Sequence, residues 1–375
     1  MDFEPTDEQK GLVDSTRSLL ASKASLEATR RLIDSSTGFD AELWRSGAEL
    51  GWPALAISEH HGGLGQHAID LALVAIELGR SLASSPFVPT VVVADAIARS
   101  DIEEKAKTLQ AIAEGNLIAT WAFAEIGRPW STTGIRTTAE RRGDGYVLSG
   151  AKSSVQDADS AQLMLVDALL DGRPARFIVP TDSPGVRTGR QRTLDVLRSY
   201  CDVTFDQTRV PDSALCAGPS SADAAIAHSG QLATVLTCAE LVGIGQRLQA
   251  MTVEYVKERE QFGRTVGSFQ AVKHKCADIR IWVQASTAAT YFAAMSLDSE
   301  HHDSAHAVSV AKAYVSDAIN KVAGEALQLH GGIGFTWEHD LHLYLRRARV
   351  NALLYGDAGH HQELLCRSLK EASAQ

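Results

Sequence analysis

The chain has 375 residues, of which 45% are hydrophobic and 22% are charged, and its 36 basic and 46 acidic side chains give a net charge of −10. This length accommodates two or three domains around a large core, which excludes a disordered tail or a small disulfide-stapled scaffold. The acidic balance argues against a nucleic-acid partner, because binding to phosphates needs a basic face.

The five cysteines lie far apart and form no Cys-x-x-Cys pair. This spacing predicts reduced thiols rather than a disulfide framework or a zinc site. The first residues lack the basic and apolar segments of a secretory signal, and no stretch approaches the roughly 18 apolar residues of a membrane span. We therefore expect a cytoplasmic protein without a membrane span.

Residues 1–117 carry the apolar periodicity of helices. Thr6 to Gln9 is typical of a helix cap with acidic residues in the first turn, and a further helix is predicted over residues 69–82. The glycine-rich stretch 59–65 predicts a loop between them. The sequence thus predicts an N-terminal α-helical domain over residues 1–117.

Short alternating segments replace the helical pattern from about residue 118 onward. Apolar stretches at 146–148, 162–166 and 176–179 are separated by turns and prolines. We expect a middle β domain, a barrel or sandwich, over residues 118–217.

Long helical patterns return after the turn at 218–221. They cover roughly 222–258, 268–298, 304–330 and 338–354. Helices of these lengths can bury one another's apolar stripes in a four-helix bundle. We predict such a bundle over residues 218–375.

Two glycine-containing corners in this last region are candidate ligand sites. The first runs from Arg259 to Arg264 and includes Phe262, with Gln270 shortly after; the second runs from Gln328 to Gly334. Arginine and amide side chains beside bare glycine backbone can hold a phosphate. From spacing alone, however, an ordinary helix end with a glycine cap is the preferred interpretation of the first corner and a strong alternative for the second.

Glu240 is the third candidate. Apart from His228, it is the only acidic or basic residue between Asp223 and Arg247, and its neighbours one helical turn away are apolar or small. Burial disfavours the charged form of a carboxylate and makes it a candidate base. The alternative is a glutamate that reaches solvent or pairs with an arginine of another helix.

Other catalytic patterns gain little support. His302 and His306 have the i,i+4 spacing of metal ligands, but no cysteine or compact acid cluster accompanies them, so we predict no metal. Neither a Gly-x-Ser-x-Gly elbow nor a Gly-x-Gly-x-x-Gly motif after a strand occurs, which argues against a serine hydrolase and a Rossmann site.

The sequence resembles the acyl-CoA dehydrogenases along nearly its whole length. The resembling segments are Thr6 to Lys10, Phe39 to Trp44, Glu49 to Trp52, Glu59 to Gly65, Glu77 to Arg80, Arg259 to Arg264 with Gln270, and Gln328 to Gly334. The resemblance implies a helical domain, a β domain and a four-helix bundle, in agreement with the pattern above.

The resemblance also implies FAD as the cofactor. In the family, the two C-terminal corners of one subunit reach the FAD of a neighbouring subunit. By this resemblance the FAD-binding candidates are Arg259, Phe262, Gln270, Gln328, Gly331 and Gly332. The implied reaction is the α,β-dehydrogenation of an acyl-CoA thioester, with electrons passing to an electron-transfer flavoprotein.

The chain departs from the family at the catalytic base. The usual glutamate follows a tyrosine near the C-terminus, where this chain has Tyr355 and then Gly356. Relatives with a relocated base carry it on the first long C-terminal helix, at a position equivalent to Ala233. Glu240 lies two turns farther along and matches an Ala-Glu-x-x-Gly setting found in similar enzymes that act on steroid side-chain CoA esters. We therefore predict Glu240 as the base, with Asp357 as the second candidate.

Gly356 keeps a predicted role without a side chain, because its backbone N–H can stabilise the thioester enolate.

A second departure lies in the β domain, where Ala124 to Trp130 replaces Thr-Glu-Pro-Gly-x-Gly-Ser and Ser154 to Gln156 replaces Trp-Ile-Thr. These family residues wrap the flavin ring, so the changes suggest an incomplete flavin clamp in this chain.

Three functional hypotheses follow. The first is an FAD-dependent acyl-CoA dehydrogenase for a bulky or steroid side chain, as a homotetramer or as a subunit of a heterotetramer with a related chain. The second is a non-catalytic subunit that completes its partner's FAD site. The third is a related flavin oxidase or monooxygenase.

Overall fold

The computed structural model describes residues 4–33, 38–299 and 303–373. Its chain divides into two compact units. Unit 1 contains residues 1–30, 68–83 and 234–375, and unit 2 contains residues 31–67 and 84–233.

The described residues form helices and strands in the following order along the chain. The helices are α1 (Asp7–Lys23), α2 (Leu26–Arg31), α3 (Ala41–Glu49), α4 (Ala68–Ser81), α5 (Phe87–Ala98), α6 (Lys105–Ala113), α7 (Ala222–Glu258), α8 (Gln270–Asp298), α9 (Ser304–His330), α10 (Leu341–Leu353) and α11 (Ala358–Ser373). The strands are β1 (Ala119–Ala122), β2 (Thr138–Arg142), β3 (Gly145–Gln156), β4 (Leu163–Leu170), β5 (Arg173–Pro180), β6 (Val186–Arg190), β7 (Tyr200–Pro211), β8 (Leu215–Ala217), β9 (Glu260–Gln261) and β10 (Arg264–Thr265).

A mixed sheet forms the centre of unit 2. In the described part of this unit, eight strands pair in the order β6-β7-β3-β2-β4-β5-β8, and β1 pairs with β4. β1 and β2 run parallel to β4, while the other pairs are antiparallel. Apolar side chains such as Leu148, Val166 and Phe177 form its core, because alternate residues of a strand share one face.

Unit 1 is helical. Its first helix, α1, begins with the expected capping box, in which the Gln9 N–H donates to the Thr6 hydroxyl and the Thr6 N–H donates to the Gln9 side chain. α9 packs against α8, α10 and α11, and α4 contacts α1 and α8. The long helices that the sequence predicts thus agree with α7 to α10, and α11 continues the chain beyond them.

The predicted fold class is confirmed: helices precede a central sheet, and helices follow it. The domain boundaries at 117 and 217 stay predictions. In the described residues, no helix has both the length and the hydrophobicity to cross a membrane.

Candidate functional site

Glu240 lies on the buried side of α7. Its exposed fraction is 2%, and Leu236, Thr237 and Ile244, one turn away on either side, are equally enclosed. The helix approaches α4 closely here, because a Cβ atom built on Gly79 would overlap the backbone carbonyl of Glu240. The carboxylate therefore belongs to the protein interior, in the setting that the sequence predicts.

Asn351 of α10 holds the Glu240 carboxylate. Its Nδ2 group donates a hydrogen bond of 2.9 Å to Glu240 Oε2, and both side chains are buried. The same face of α10 carries Tyr344, whose hydroxyl donates to the Arg80 carbonyl, and Arg347, which donates to the Ala83 carbonyl. These contacts fix α10 against the end of α4 and thereby fix Asn351.

Lys312 of α9 supports Asn351 from the other side. Its ammonium group is fully buried and donates a 2.6 Å hydrogen bond to the Asn351 backbone carbonyl. Burial lowers the pKa of Lys312 from 10.5 to about 8, although Cys238 and Asp357 act in the opposite direction. Burial also raises the pKa of the Cys238 thiol to about 11, so this cysteine stays protonated at neutral pH.

The second base candidate, Asp357, is exposed and serves as a helix cap. Its Oδ1 accepts a 2.8 Å hydrogen bond from the His360 N–H in the first turn of α11. Carboxylates at helix N-termini satisfy backbone donors and interact favourably with the helix dipole. The Asp357 side chain therefore stabilises the N-terminus of α11.

Gly356 occupies a position that requires glycine. Its φ is +99°, and an added Cβ would overlap the His360 ring and lie 3.2 Å from His361 Nε2. The residue is buried, and its N–H forms no hydrogen bond within residues 4–33, 38–299 and 303–373. The backbone donor is thus available, whereas a glutamate side chain does not fit here without rearrangement.

His361 anchors the turn that carries Gly356. Its Nε2 lies 3.1 Å from the Tyr355 carbonyl, so this nitrogen donates, and Nδ1 then accepts from the Ser309 hydroxyl at 3.3 Å. Burial lowers the pKa of His361 to about 4, and the backbone hydrogen bond only partly opposes this. The imidazole is therefore neutral at physiological pH.

The Arg259 corner folds into a small β-hairpin rather than a simple helix end. β9 and β10 pair as Gln261 with Arg264, which leaves Phe262 and Gly263 as a two-residue turn with φ of 54° and 77°. Phe262 is 91% exposed at the tip. A left-handed phenylalanine on an exposed turn is unusual, which suggests a ligand or partner that covers it.

The Gln328 corner lies at the same end of unit 1. His330, the last residue of α9, stacks on Tyr255 of α7 at a ring distance of 4.6 Å and thereby joins the two corners. Gly331 has a φ of +63°, and no atom of the described residues would lie within 4 Å of a Cβ added to Gly331 or to Gly332. Both glycines therefore offer accessible backbone.

The polar side chains at these corners suit a dinucleotide. Arg259, Gln270 and Gln328 are exposed, and their side chains make no hydrogen bond or ion pair to other residues in the part of the chain that the structure describes. A guanidinium group and two amides can bind a pyrophosphate, while Phe262 offers an aromatic face. These two corners together form what we call the arm, which includes Arg259, Phe262, Gln270, Gln328, Gly331 and Gly332. The donor set of the arm therefore fits FAD, as the sequence predicts.

Unit 2 contains the departures from the flavin-wrapping pattern. Glu125 is already engaged: it accepts hydrogen bonds from the N–H groups of Arg136 and Thr137 and forms a 2.7 Å ion pair with buried Lys152. This ion pair lowers the pKa of Glu125 against the opposing effect of burial. The Glu125 carboxylate therefore stabilises the loop that it belongs to by binding Arg136, Thr137 and Lys152.

The neighbouring loop residues are bulkier than the glycine and serine they replace. Pro129 has no N–H to donate, and Trp130 lies 6.3 Å from Phe123, which in turn stacks on Trp121 at 4.8 Å. Ser154, in place of an aromatic residue, has a φ of 55°. These loop residues therefore differ from the flavin-wrapping pattern that the resemblance implies, and the incomplete clamp stays a prediction.

The described residues contain no group of three or more histidine, cysteine, aspartate or glutamate side chains that could hold a metal. His306 is among them, whereas His301 and His302 lie outside the described residues. A cavity of about 760 Å³ lies between α7 and α8, and none of the predicted site residues lines it.

Sequence reasoning missed Asn351 and Lys312. Both are polar residues on the buried stripes of their helices, and a polar residue at an apolar position is the signal that points to such a contact. Lys312 contacts Asn351 and Asn351 contacts Glu240, and both contacts depend on how α7, α9 and α10 pack, which the linear pattern does not specify.

Comparison with known proteins gives a consistent result. Residues 6–116 match the family model of the acyl-CoA dehydrogenase N-terminal domain, and residues 231–370 match that of the C-terminal domain. The chain is 32% identical over 351 residues to the acyl-CoA dehydrogenase IpdE2 of Mycobacterium tuberculosis, an alignment that covers 93% of each chain.

Two solved structures share the fold and similar sequences. A variant of the Tcur3481-Tcur3483 steroid ACAD has a TM-score of 0.89 and 30% identity, covering 98% of this chain and 99% of that one. The ChsE4-ChsE5 complex of Mycobacterium tuberculosis has a TM-score of 0.91 and 28% identity, covering 99% of both.

Proposed function

Since the chain belongs to the acyl-CoA dehydrogenase family, an FAD-dependent enzyme family, we propose that it dehydrogenates an acyl-CoA thioester with Glu240 as the base. The observation that carries this proposal is the buried carboxylate held by Asn351 at 2.9 Å. The geometry at Gly356 supports it further, because the family's usual base position has no room for a side chain.

In the proposed reaction, Glu240 takes the α-proton of the thioester. The electron pair left on the α-carbon forms the α,β double bond while the β-hydrogen leaves with its own electron pair. When bound, FAD supplies the acceptor for that hydride. The Gly356 N–H donates to the thioester carbonyl and stabilises the negative charge that develops on its oxygen.

Arg259, Phe262, Gln270, Gln328, Gly331 and Gly332 would hold the dinucleotide in this proposal. A bulky or steroid acyl-CoA is the proposed substrate, supported by the similarity to the steroid ACAD structure. An electron-transfer flavoprotein is the proposed electron acceptor, and the cytoplasm the proposed location.

A heterotetramer with a related chain is the proposed assembly. Two observations support it: the exposed arm with its unpaired donors, and the altered loop at Pro129 and Trp130. The solved ChsE4-ChsE5 complex is a pairing of two different chains. The same observations favour the second candidate function, a subunit that completes a partner's FAD site without performing catalysis.

The test is to purify the chain alone and together with a related chain encoded nearby, and to measure flavin per tetramer and acyl-CoA-dependent flavin bleaching. We expect half occupancy and bleaching in the mixed assembly. Glu240→Gln should reduce bleaching by at least about 100-fold, in the range of lost general-base catalysis. Glu254→Gln, an exposed glutamate on the same helix, is the matched control and should keep full activity.

Two results would decide against parts of the proposal. Full turnover by Glu240→Gln would remove the base assignment, and bleaching that survives in a mixed assembly with Glu240→Gln would favour the non-catalytic role. For the arm, Arg259→Gln should weaken FAD retention several-fold, whereas exposed Lys273→Gln should not. Equal FAD retention in both variants would contradict the arm assignment.

A further inference from the structure

Asn351 connects two charged side chains that approach it from different helices. Its side-chain amide donates to the Glu240 carboxylate at 2.9 Å, and its backbone carbonyl accepts from the Lys312 ammonium group at 2.6 Å. All three residues are buried, and Asn351 and Lys312 have exposed fractions of 0%. The asparagine thus makes hydrogen bonds through both its main chain and its side chain.

The amide of Asn351 has one unused group. Its Oδ1 atom is buried and has no hydrogen-bond partner in the described part of the chain. A buried acceptor without a partner costs free energy, so its retention calls for an explanation. A carboxylate can only accept, whereas a protonated carboxyl group can also donate. A half-turn of the amide would present Oδ1 to a protonated Glu240.

We propose that Asn351 and Lys312 are positioning residues for Glu240, with the amide donating to the carboxylate before proton transfer and accepting from the carboxyl group afterwards. Lys312 keeps the asparagine in place by binding its carbonyl oxygen. This inference rests on the proposed function, in which Glu240 accepts the α-proton.

Other titratable and charged groups lie on the helices that carry or adjoin Lys312 and Asn351. Cys238 on α7 and Asp357 before α11 are electrostatic neighbours of Lys312, and His361 on α11 is also close enough to interact with it. Arg347 on α10 is buried and donates to the Ala83 carbonyl. The structure thus connects Lys312 to Glu240 through a single intervening residue, Asn351.

The first test uses Asn351→Leu, a substitution of similar size that removes both amide groups. We expect kcat to fall about tenfold or more with KM within about twofold, because a hydrogen bond to a charged group contributes roughly 1.5–3 kcal/mol. The acidic limb of the kcat profile should move to higher pH, because the charged form of the base has lost a hydrogen-bond donor. A purely structural role would leave that limb in place.

The second test does not depend on catalysis. Infrared titration of the full chain without substrate would follow the carboxyl band that Glu240→Gln removes. In Asn351→Leu that band should appear at a higher pH than in the wild-type chain, since the hydrogen bond that the carboxylate loses is charge-assisted and therefore stronger than the one that the carboxyl group loses. If the two titrations coincide, the positioning role of Asn351 is wrong. Asn351→Ala replaces the leucine variant if the latter does not fold.

Lys312→Met tests the second positioning residue. It keeps the length of the side chain but removes the hydrogen bond to Asn351, and an apolar replacement of a buried charge is often tolerated. We expect a kcat about two- to fivefold lower, with an acidic limb displaced in the same direction as in Asn351→Leu. Lys321→Met, an exposed lysine on the same helix, is the control and should match the wild type.

Failure of this inference differs from failure of the proposed function. If Glu240→Gln is inactive while Asn351→Leu and Lys312→Met keep wild-type kcat and pH profiles, Glu240 is the base but these residues do not position it. If Glu240→Gln keeps full activity, the base assignment fails whatever the infrared titration shows.

Discussion

Gly79 of α4 lies directly against the backbone of Glu240 of α7. A Cβ atom built on Gly79 would come well inside 3.0 Å of the Glu240 carbonyl oxygen. Gly243, three residues farther along α7, has the same relation to the Ile76 carbonyl. This pair of glycines allows the two helix backbones to approach, and the separation sets where the Glu240 carboxylate lies relative to Asn351.

Gly79→Ala should separate α4 from α7 at Glu240. An added methyl group in a packed interior typically costs about 1–3 kcal/mol, and we expect a loss of this size in urea unfolding. Activity should fall about tenfold or more, because small displacements of a reacting group strongly reduce catalysis.

Gly324→Ala is the matched control for this variant. Gly324 also lies within a helix, but no atom of the described residues lies within 4 Å of its Cβ position. Alanine there should be neutral or stabilise by up to about 1 kcal/mol. An unchanged unfolding midpoint for Gly79→Ala would contradict the close approach of the two helices.

Most of the fold could be predicted from the sequence because its signals are local. The capping box at Thr6, the turns and prolines between the short strands and the long apolar stripes of α7 to α9 each specify their own element. The hairpin at Phe262 was not predicted, because its strands have two residues each and the turn depends on left-handed φ at a phenylalanine.

The candidate site could be predicted only in part. Glu240 stands out in the sequence because it is the lone acid of a long uncharged stretch. Asn351 and Lys312 lie 111 and 72 residues away from it, and no local pattern joins them. The lack of space for a side chain at Gly356 could not be predicted from the sequence either, since it depends on the placement of the His360 ring.

Gly356→Glu, which restores the family's usual residue type, should not restore its function. The φ of +99° and the overlap with His360 make any side chain unfavourable, and we expect a loss of stability greater than the roughly 1–2 kcal/mol of left-handed strain alone. Combined with Glu240→Gln, it should leave the assembly inactive in the bleaching assay.

Gly172→Ala separates strain from overlap. Gly172 has a φ of +75° and no described atom within 4 Å of its Cβ position, so alanine there introduces the strain alone. Its loss of stability should be smaller than that of Gly356→Ala. For the double variant Glu240→Gln/Gly356→Glu described above, the contradicting result is flavin bleaching, which would show that a carboxylate can act from position 356.

Asp357→Ala should reduce stability but not the chemical step. The side chain caps α11 through the His360 N–H, and loss of such a cap costs about 1 kcal/mol. Asp357→Asn should keep the cap and the wild-type unfolding midpoint. If Asp357→Asn is folded but inactive in flavin bleaching, Asp357 rather than Glu240 would be the base.

His361 should make the protein sensitive to acid. Its pKa falls from 6.5 to about 4 in the folded chain, so the unfolded chain binds more protons between these values and stability is lost as the pH falls through this window. The full loss is about 3 kcal/mol, an order-of-magnitude figure from the size of the shift. His361→Gln removes this titration, so the stability difference between the wild-type chain and this variant should shrink as the pH falls from 7 to 4. The control is His274→Gln, at an exposed position on α8, which should follow the wild-type stability curve in urea unfolding. If the stability difference between the wild-type chain and His361→Gln stays constant with pH, His361 is not buried as a neutral imidazole.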